Sequence, residues 1–112
     1  MLEKKSKPHY LGHRSRLRNR FLETGFKGLA DYEILELALT YVIPRKDVKP
    51  QSKSLIQEFG SLKQVFDADI KDLKKIKNLS AYSAGFLMFL RKFSSLYLSH
   101  RIYHFLTASE KY

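Results

Sequence analysis

Between Asp31 and Pro44 lies a run in which Ile34, Leu35, Leu37, Ala38, Leu39, Tyr41, Val42 and Ile43 are apolar, with Glu33, Glu36 and Thr40 between them. At about 100° per residue these positions cover most of a helix circumference and leave one polar strip. Such a helix is stable in water only when other helices surround it. It is too short to cross a bilayer, and the longest uninterrupted apolar run in the chain, Ala84 to Leu90, is seven residues. No segment shows the alternation of a strand. The expectation is an all-α, compact helical bundle of about five helices with this segment at its centre.

The punctuation of the chain supports that reading. A helix from about His13 is expected to stop at Gly25, with Gly28 in the next turn, because glycine accepts the left-handed conformation that ends helices. Asp31 is the expected N-cap of the central helix, Tyr32 to about Ile43, which Pro44 helps to end. Asp47 is expected to cap a third helix that carries Pro50 in its first turn and closes at Gly60. Ser61 opens a short helix, and Asp69 starts another through Ile76. A hairpin follows at Lys77 to Ser80, then a long helix from Ala81 to at least Leu98. On that last helix Tyr82, Phe86, Leu87, Phe89, Leu90, Phe93, Tyr97 and Leu98 share one broad arc, expected to face the core.

Residues 1–8 are lysine-rich, end in a proline and read as a flexible basic arm. The helical domain is expected over residues 9–98, with residues 99–112 a C-terminal helix extension or tail. The 112-residue chain has no cysteine, which excludes disulfides, thiolate zinc sites and cysteine nucleophiles and fits a cytoplasmic address. No export signal or membrane span is read.

With 21 basic and 11 acidic residues the net charge is +10, which fits a polyanionic partner. The excess is concentrated at the start, where residues 1–20 carry net +6. In the run His13-Arg14-Ser15-Arg16-Leu17-Arg18-Asn19-Arg20-Phe21 a helix splits the arginines into two pairs. Arg14 and Arg18 fall within the apolar arc of Leu17 and Phe21, where a half-buried guanidinium needs a carboxylate, and Glu33 and Glu36 are the expected partners. Arg16 and Arg20, with His13 nearby, point the other way. With Lys4, Lys5 and Lys7 they form either a phosphate-contact surface or a solvated face.

No catalytic constellation is present: there is no Gly-x-Ser-x-Gly context and no phosphate-cradling glycine loop. Glu33 and Glu36 beside arginines read as ion-paired. The pairs His9/His13 and His100/His104 each have helical i, i+4 spacing, but no third ligand is placed near either pair. No enzyme, metal or other cofactor is therefore expected.

Four blocks carry a family resemblance: Gly12-His13-Arg14-x-Arg16-Leu17-Arg18-x-Arg20-Phe21, Asp31-Tyr32-Glu33-x-Leu35-Glu36, Ile43-Pro44-Arg45-x-Asp47-Val48-Lys49-Pro50 and Phe59-Gly60-Ser61-Leu62-x-x-Val65. In order and spacing they resemble the N-terminal region of bacterial RadC-like proteins, over roughly residues 9 to 95. The resemblance implies a helical domain with a helix-hairpin-helix element, normally followed by a metalloprotease-like domain of the JAB type, in a family historically linked to DNA repair. This chain has no His-x-His, the start of that second domain's zinc motif, so the enzyme half is expected to be missing.

Helix-hairpin-helix elements generally turn on Gly-apolar-Gly, which lets backbone N–H groups approach a phosphate. Here the turn reads Asn78-Leu79-Ser80, a degenerate version: asparagine accepts positive φ and Ser80 suits a cap. Lys74, Lys75 and Lys77 either compensate as point charges or form a solvated flank. The leading expectation is a small non-catalytic module, linked to DNA repair or recombination, that binds DNA without sequence preference. Its contacts would be Lys4, Lys5, Lys7, His13, Arg16 and Arg20, with Lys75, Lys77, Asn78 and Ser80 contributing weakly. The alternatives are a protein-interaction or regulatory module docking through the aromatic tail Tyr97 to Phe105, or a truncated remnant of a RadC-like protein.

Overall fold

The computed structural model describes residues 9–110. Six helices follow one another: α1 (His9–Thr24), α2 (Asp31–Thr40), α3 (Lys49–Phe59), α4 (Leu62–Asp67), α5 (Ile70–Leu73) and α6 (Ala81–Glu110). No strand occurs among the described residues. The count is six, against about five expected, with the single-turn α5 an element of its own.

α2 is the central helix, packed against α1, α3 and α4. Its Leu35 and Leu39 join Val48, Leu55, Val65, Leu73, Leu79, Ala84 and Leu87 in one buried cluster. α2 ends at Thr40, three residues short of Ile43. The Val42 and Ile43 N–H groups both turn back to the Leu39 carbonyl, and the chain tightens into turns ahead of Pro44. The N-cap is Ala30, whose N–H donates to Glu33 Oε1 at 2.9 Å. Asp31, the expected cap, instead accepts the Leu62 N–H at 3.3 Å and pins the start of α4 to the start of α2.

The other stops follow local chemistry. Asp47 Oδ1 accepts the Lys49 N–H at 3.1 Å at the start of α3. Gly60 closes that helix at φ 103°, a conformation that strains any side chain. Ser61 Oγ accepts the Gln64 N–H and caps α4. Asp69 occupies the N-cap of α5, but its side chain makes no cap bond.

α6 outruns the bundle. It packs on α4 and α5 through its first turns, then every residue from Lys92 to Leu106 is exposed. A compact chain of this length has a radius of gyration of roughly 13 Å. The observed value is 17.6 Å, and the longest dimension is 71 Å against 34 and 22 Å. The aromatic arc expected in the core is therefore corrected. Of its members Leu87 is buried and Phe86 and Leu90 are half-buried, while Tyr82, Phe89, Phe93, Tyr97 and Leu98 are each more than half exposed. The reason is height: α4 and α5 span six and four residues, whereas a 30-residue helix is about 45 Å long. Residues 99–110 continue α6 without a break. Among the described residues no helix is long and apolar enough to cross a membrane.

Candidate nucleic-acid interface

The arginines of α1 divide as their wheel positions suggest, Arg14 and Arg18 turned inward and Arg16 and Arg20 exposed, but their partners differ from those expected. Arg14 is buried, and its guanidinium donates to the carbonyls of Thr40, Ile43 and Lys46. These three partners are backbone oxygens, where carboxylates were expected. Where α2 ends and the chain turns, carbonyls lose their helical donors, and a cationic fork at that end satisfies several at once. Arg18 is half-buried, with its guanidinium 5.2 Å from the centroid of the Tyr41 ring.

The carboxylates of α2 serve the residues expected to point outward. Glu36 lies 2.8 Å from His13 Nε2. Glu33 lies 3.1 Å from Arg20 Nη1, whose other terminal nitrogen donates to the Gly28 carbonyl. The polar strip of α2 is thus the surface on which α1 rests. Burial pushes the Glu36 carboxyl above its ordinary pKa, with the opposing charges of His13 and Lys49 pulling it back. The bond from the Ala30 N–H holds Glu33 below its ordinary value, and Arg20 adds to this. Of the α1 residues proposed for phosphate contact, His13 and Arg20 are thus engaged within the fold, and Arg16 is exposed. Lys4, Lys5 and Lys7 lie outside the described residues, as does the side chain of His9.

The hairpin between α5 and α6 turns on Asn78 at φ 65°. The Leu79 N–H returns to the Ile76 carbonyl, and Leu79 is buried with Leu73, Ala84 and Leu87. Ser80 Oγ accepts the Ser83 N–H at 3.0 Å. The first N–H groups of any helix have no intrahelical acceptor. With the Ser83 N–H taken by Ser80, those of Ala81 and Tyr82 belong to exposed residues next to exposed Ser80. Lys74, Lys75 and Lys77 are exposed ahead of this turn, with Lys75 lying 3.4 Å from Asp72. α1 and the hairpin belong to different parts of the bundle: the first packs on α2 and the second joins α5 to α6.

Sequence reasoning missed a groove of about 700 Å³ between α1, α2, α4 and α6, walled by Phe21, Phe26, Ile34, Tyr41, Phe66 and Leu98 among others. Its apolar residues were each legible, but their convergence depends on where α6 crosses the bundle. Among the described residues no three His, Asp or Glu side chains converge to hold a metal ion.

No family model and no solved structure matches the chain. Curated relatives do, and two of them illustrate the match. A UPF0758 protein of Fusobacterium nucleatum is 48% identical over 85 residues, which is 76% of this chain and 37% of that protein. A UPF0758 protein of Ruegeria pomeroyi is 44% identical over 73 residues, 64% of this chain and 33% of that protein. The matched stretch spans about a third of the length of these relatives. Over that stretch the chain is a homologue of the UPF0758 proteins, the RadC-like family that its four sequence blocks resemble.

Proposed function

We propose that the chain is a non-catalytic, cytoplasmic module, equivalent to the N-terminal helical region of RadC-like proteins, that binds DNA through its phosphates without sequence preference. The observation that carries this reading is the Asn78 hairpin. A left-handed turn at φ 65° delivers the open N–H groups at the start of α6 beside exposed Lys74, Lys75 and Lys77, in a chain of net charge +10. Backbone donors at a helix start bind phosphate oxygens, and lysines beside them add charge. The engagement of His13 and Arg20 by α2 shifts the weight of the interface from α1 to the hairpin, with Arg16, Asn78 and Ser80 and the arm lysines Lys4, Lys5 and Lys7 as further contacts. A role in DNA repair or recombination fits the resemblance to the family.

Fluorescence anisotropy with labelled single-stranded, duplex and branched DNA, titrated from low to physiological salt, tests this. With about four to six phosphate contacts, log K on duplex DNA falls against log salt with a slope of about −4 to −5. Lys74→Ala with Lys77→Ala should reduce the slope by roughly 2. Absence of binding at the lowest salt ends the proposal. A second reading, a module that docks a protein through its C-terminal helix, is favoured by the aromatic exposure of α6, where Tyr97 is 54% and Phe105 71% exposed.

A further inference from the structure

Along α6, Tyr82, Phe89, Phe93, Leu96 and Tyr103 lie on one line, with Phe86, His100 and Thr107 at the positions between and beyond them. From Tyr82 to Thr107 the spacing alternates strictly between four and three residues. That alternation averages 3.5 residues, the repeat that keeps one seam of a helix against a partner helix. The bundle is not that partner. It holds α6 through the buried Ser83, Ala84 and Leu87, roughly half a turn away from the seam at about 100° per residue. The seam is left open to solvent: Tyr82 is 69%, Phe93 56% and Tyr103 70% exposed. Phe89 and Phe93 are already stacked along it, ring centroids 5.9 Å apart.

We infer that a second copy of this chain covers the seam, its α6 running antiparallel to the first as a two-stranded coiled coil. This inference is independent of DNA binding. The seam is self-complementary in that direction. With the two-fold axis between Ser94 and Ser95, Phe93 meets Leu96 of the second copy, Phe89 meets His100, Phe86 meets Tyr103 and Tyr82 meets Thr107. Every seam position is filled, and each pair occurs twice. Beside the seam Leu106 of the second copy comes over Gly85, where even a Cβ would meet nothing within 4 Å. Lys92 comes beside Ser99, so no cation faces a cation there. The antiparallel direction also sets the two bundles at opposite ends of the pair, which separates two chains of charge +10 each.

The area suffices. Tyr82, Phe89, Phe93, Leu96 and Tyr103, with Tyr97 and Leu106 at the edges, are all more than half exposed. At on the order of 100 Å² each they offer roughly 700–800 Å², close to the ~800 Å² that each partner contributes to a stable pair.

Sedimentation velocity of the nuclease-treated full chain at ~50 μM, a concentration at which a pair of this size is held together, is the test. The wild type should run at twice the 13.2 kDa chain mass. Phe93→Glu, at a position solvated in the single chain, should run at 13.2 kDa with the thermal transition of the bundle retained. Ile102→Glu, exposed on a different face of the same helix, should remain a pair. Because the chain has no native cysteine, direction is read by oxidation: Phe93→Cys with Leu96→Cys should cross-link two copies, and Phe93→Cys alone should not. A wild type at single-chain mass or in a larger assembly, or equal disruption by both glutamates, overturns the seam. Efficient cross-linking by Phe93→Cys alone overturns the antiparallel direction.

Discussion

Arg14 and Phe93 lie on two helices of one chain, and each sits where the other would be expected. The arginine is 7% exposed and the phenylalanine 56%. The difference between the α1–α2 contact and the far half of α6 shows that burial follows the supply of partners and not side-chain polarity alone. α1 crosses the end of α2, where three carbonyls converge on one fork, so a full charge is stabilised inside. α6 continues past the last helix able to cover it, so hydrocarbon is left in water. The cost of burying a charge is met by geometry at one end, and the gain from burying an aromatic ring awaits a partner at the other.

The sharpest way to break this comparison lies within α6 itself. Leu87→Ala removes a side chain that is 1% exposed in the main cluster, whereas Ile102→Ala trims one that is 58% exposed and off the seam. The first should cost about 2–5 kcal/mol and the second less than about 0.5 kcal/mol in urea unfolding. Equal costs would mean that the far half of α6 packs as a core element.

At the other end Arg14→Ala should cost about 3 kcal/mol, because three carbonyls lose a charged donor at once. Arg14→Lys should recover only part of that, since an ammonium lacks the fork. Arg16→Ala, two residues along on the exposed face, should stay within about 0.5 kcal/mol. A loss at Arg16 matching that at Arg14 would contradict the division of α1. The hairpin gives a smaller effect. Asn78→Val, placed at φ 65°, should cost about 1–2 kcal/mol, and Asn78→Gly should cost nothing. Melting temperatures of the two variants decide it, and an unchanged Asn78→Val would show that the turn is not held left-handed.

What the sequence made legible was local. Gly60, Ser61, Asn78 and Ser80 announce their turns and caps because the signal and its effect lie within a few residues of each other. The central place of α2 was also readable, since a helix apolar nearly all round has few other places to be. The acceptors of Arg14 were not, because they sit 26 to 32 residues away and exist only once α2 has stopped at Thr40. The Asp31 carboxylate was read as a cap for its own helix and serves another. For α6 a helical wheel reports an apolar arc but not the height of the bundle beside it. It also merged two faces into one: the alternation of four and three from Tyr82 to Thr107 was present in the spacing, hidden beside Leu87 and Leu90 on the bundle side. In the candidate interface Asn78 and Ser80 were legible from the turn they make. The engagement of His13 and Arg20 depended on how α1 lies on α2, which no wheel supplies.

The smallest expected effect separates the two carboxylates on which α1 rests. Glu33 titrates below its ordinary value of 4.5 in the fold, so its contribution is present above that pH and is lost as pH falls through its folded pKa. Glu36 titrates above 4.5. The fold then binds that proton more tightly than the unfolded chain, and stability is lost as pH rises through the folded pKa. Stability therefore rises with pH below 4.5 through Glu33 and falls with pH above 4.5 through Glu36, so the two slopes oppose each other across 4.5. Urea midpoints on both sides of that value should show Glu33→Gln flattening the acid limb and Glu36→Gln flattening the limb above 4.5. Glu36 is 2% exposed, and its carboxyl is raised because burial outweighs the attraction of His13 and Lys49. If Glu36→Gln instead flattened the acid limb below 4.5, as Glu33→Gln does, the ion pair with His13 would outweigh burial, and α1 would be held to α2 by charge at both contacts.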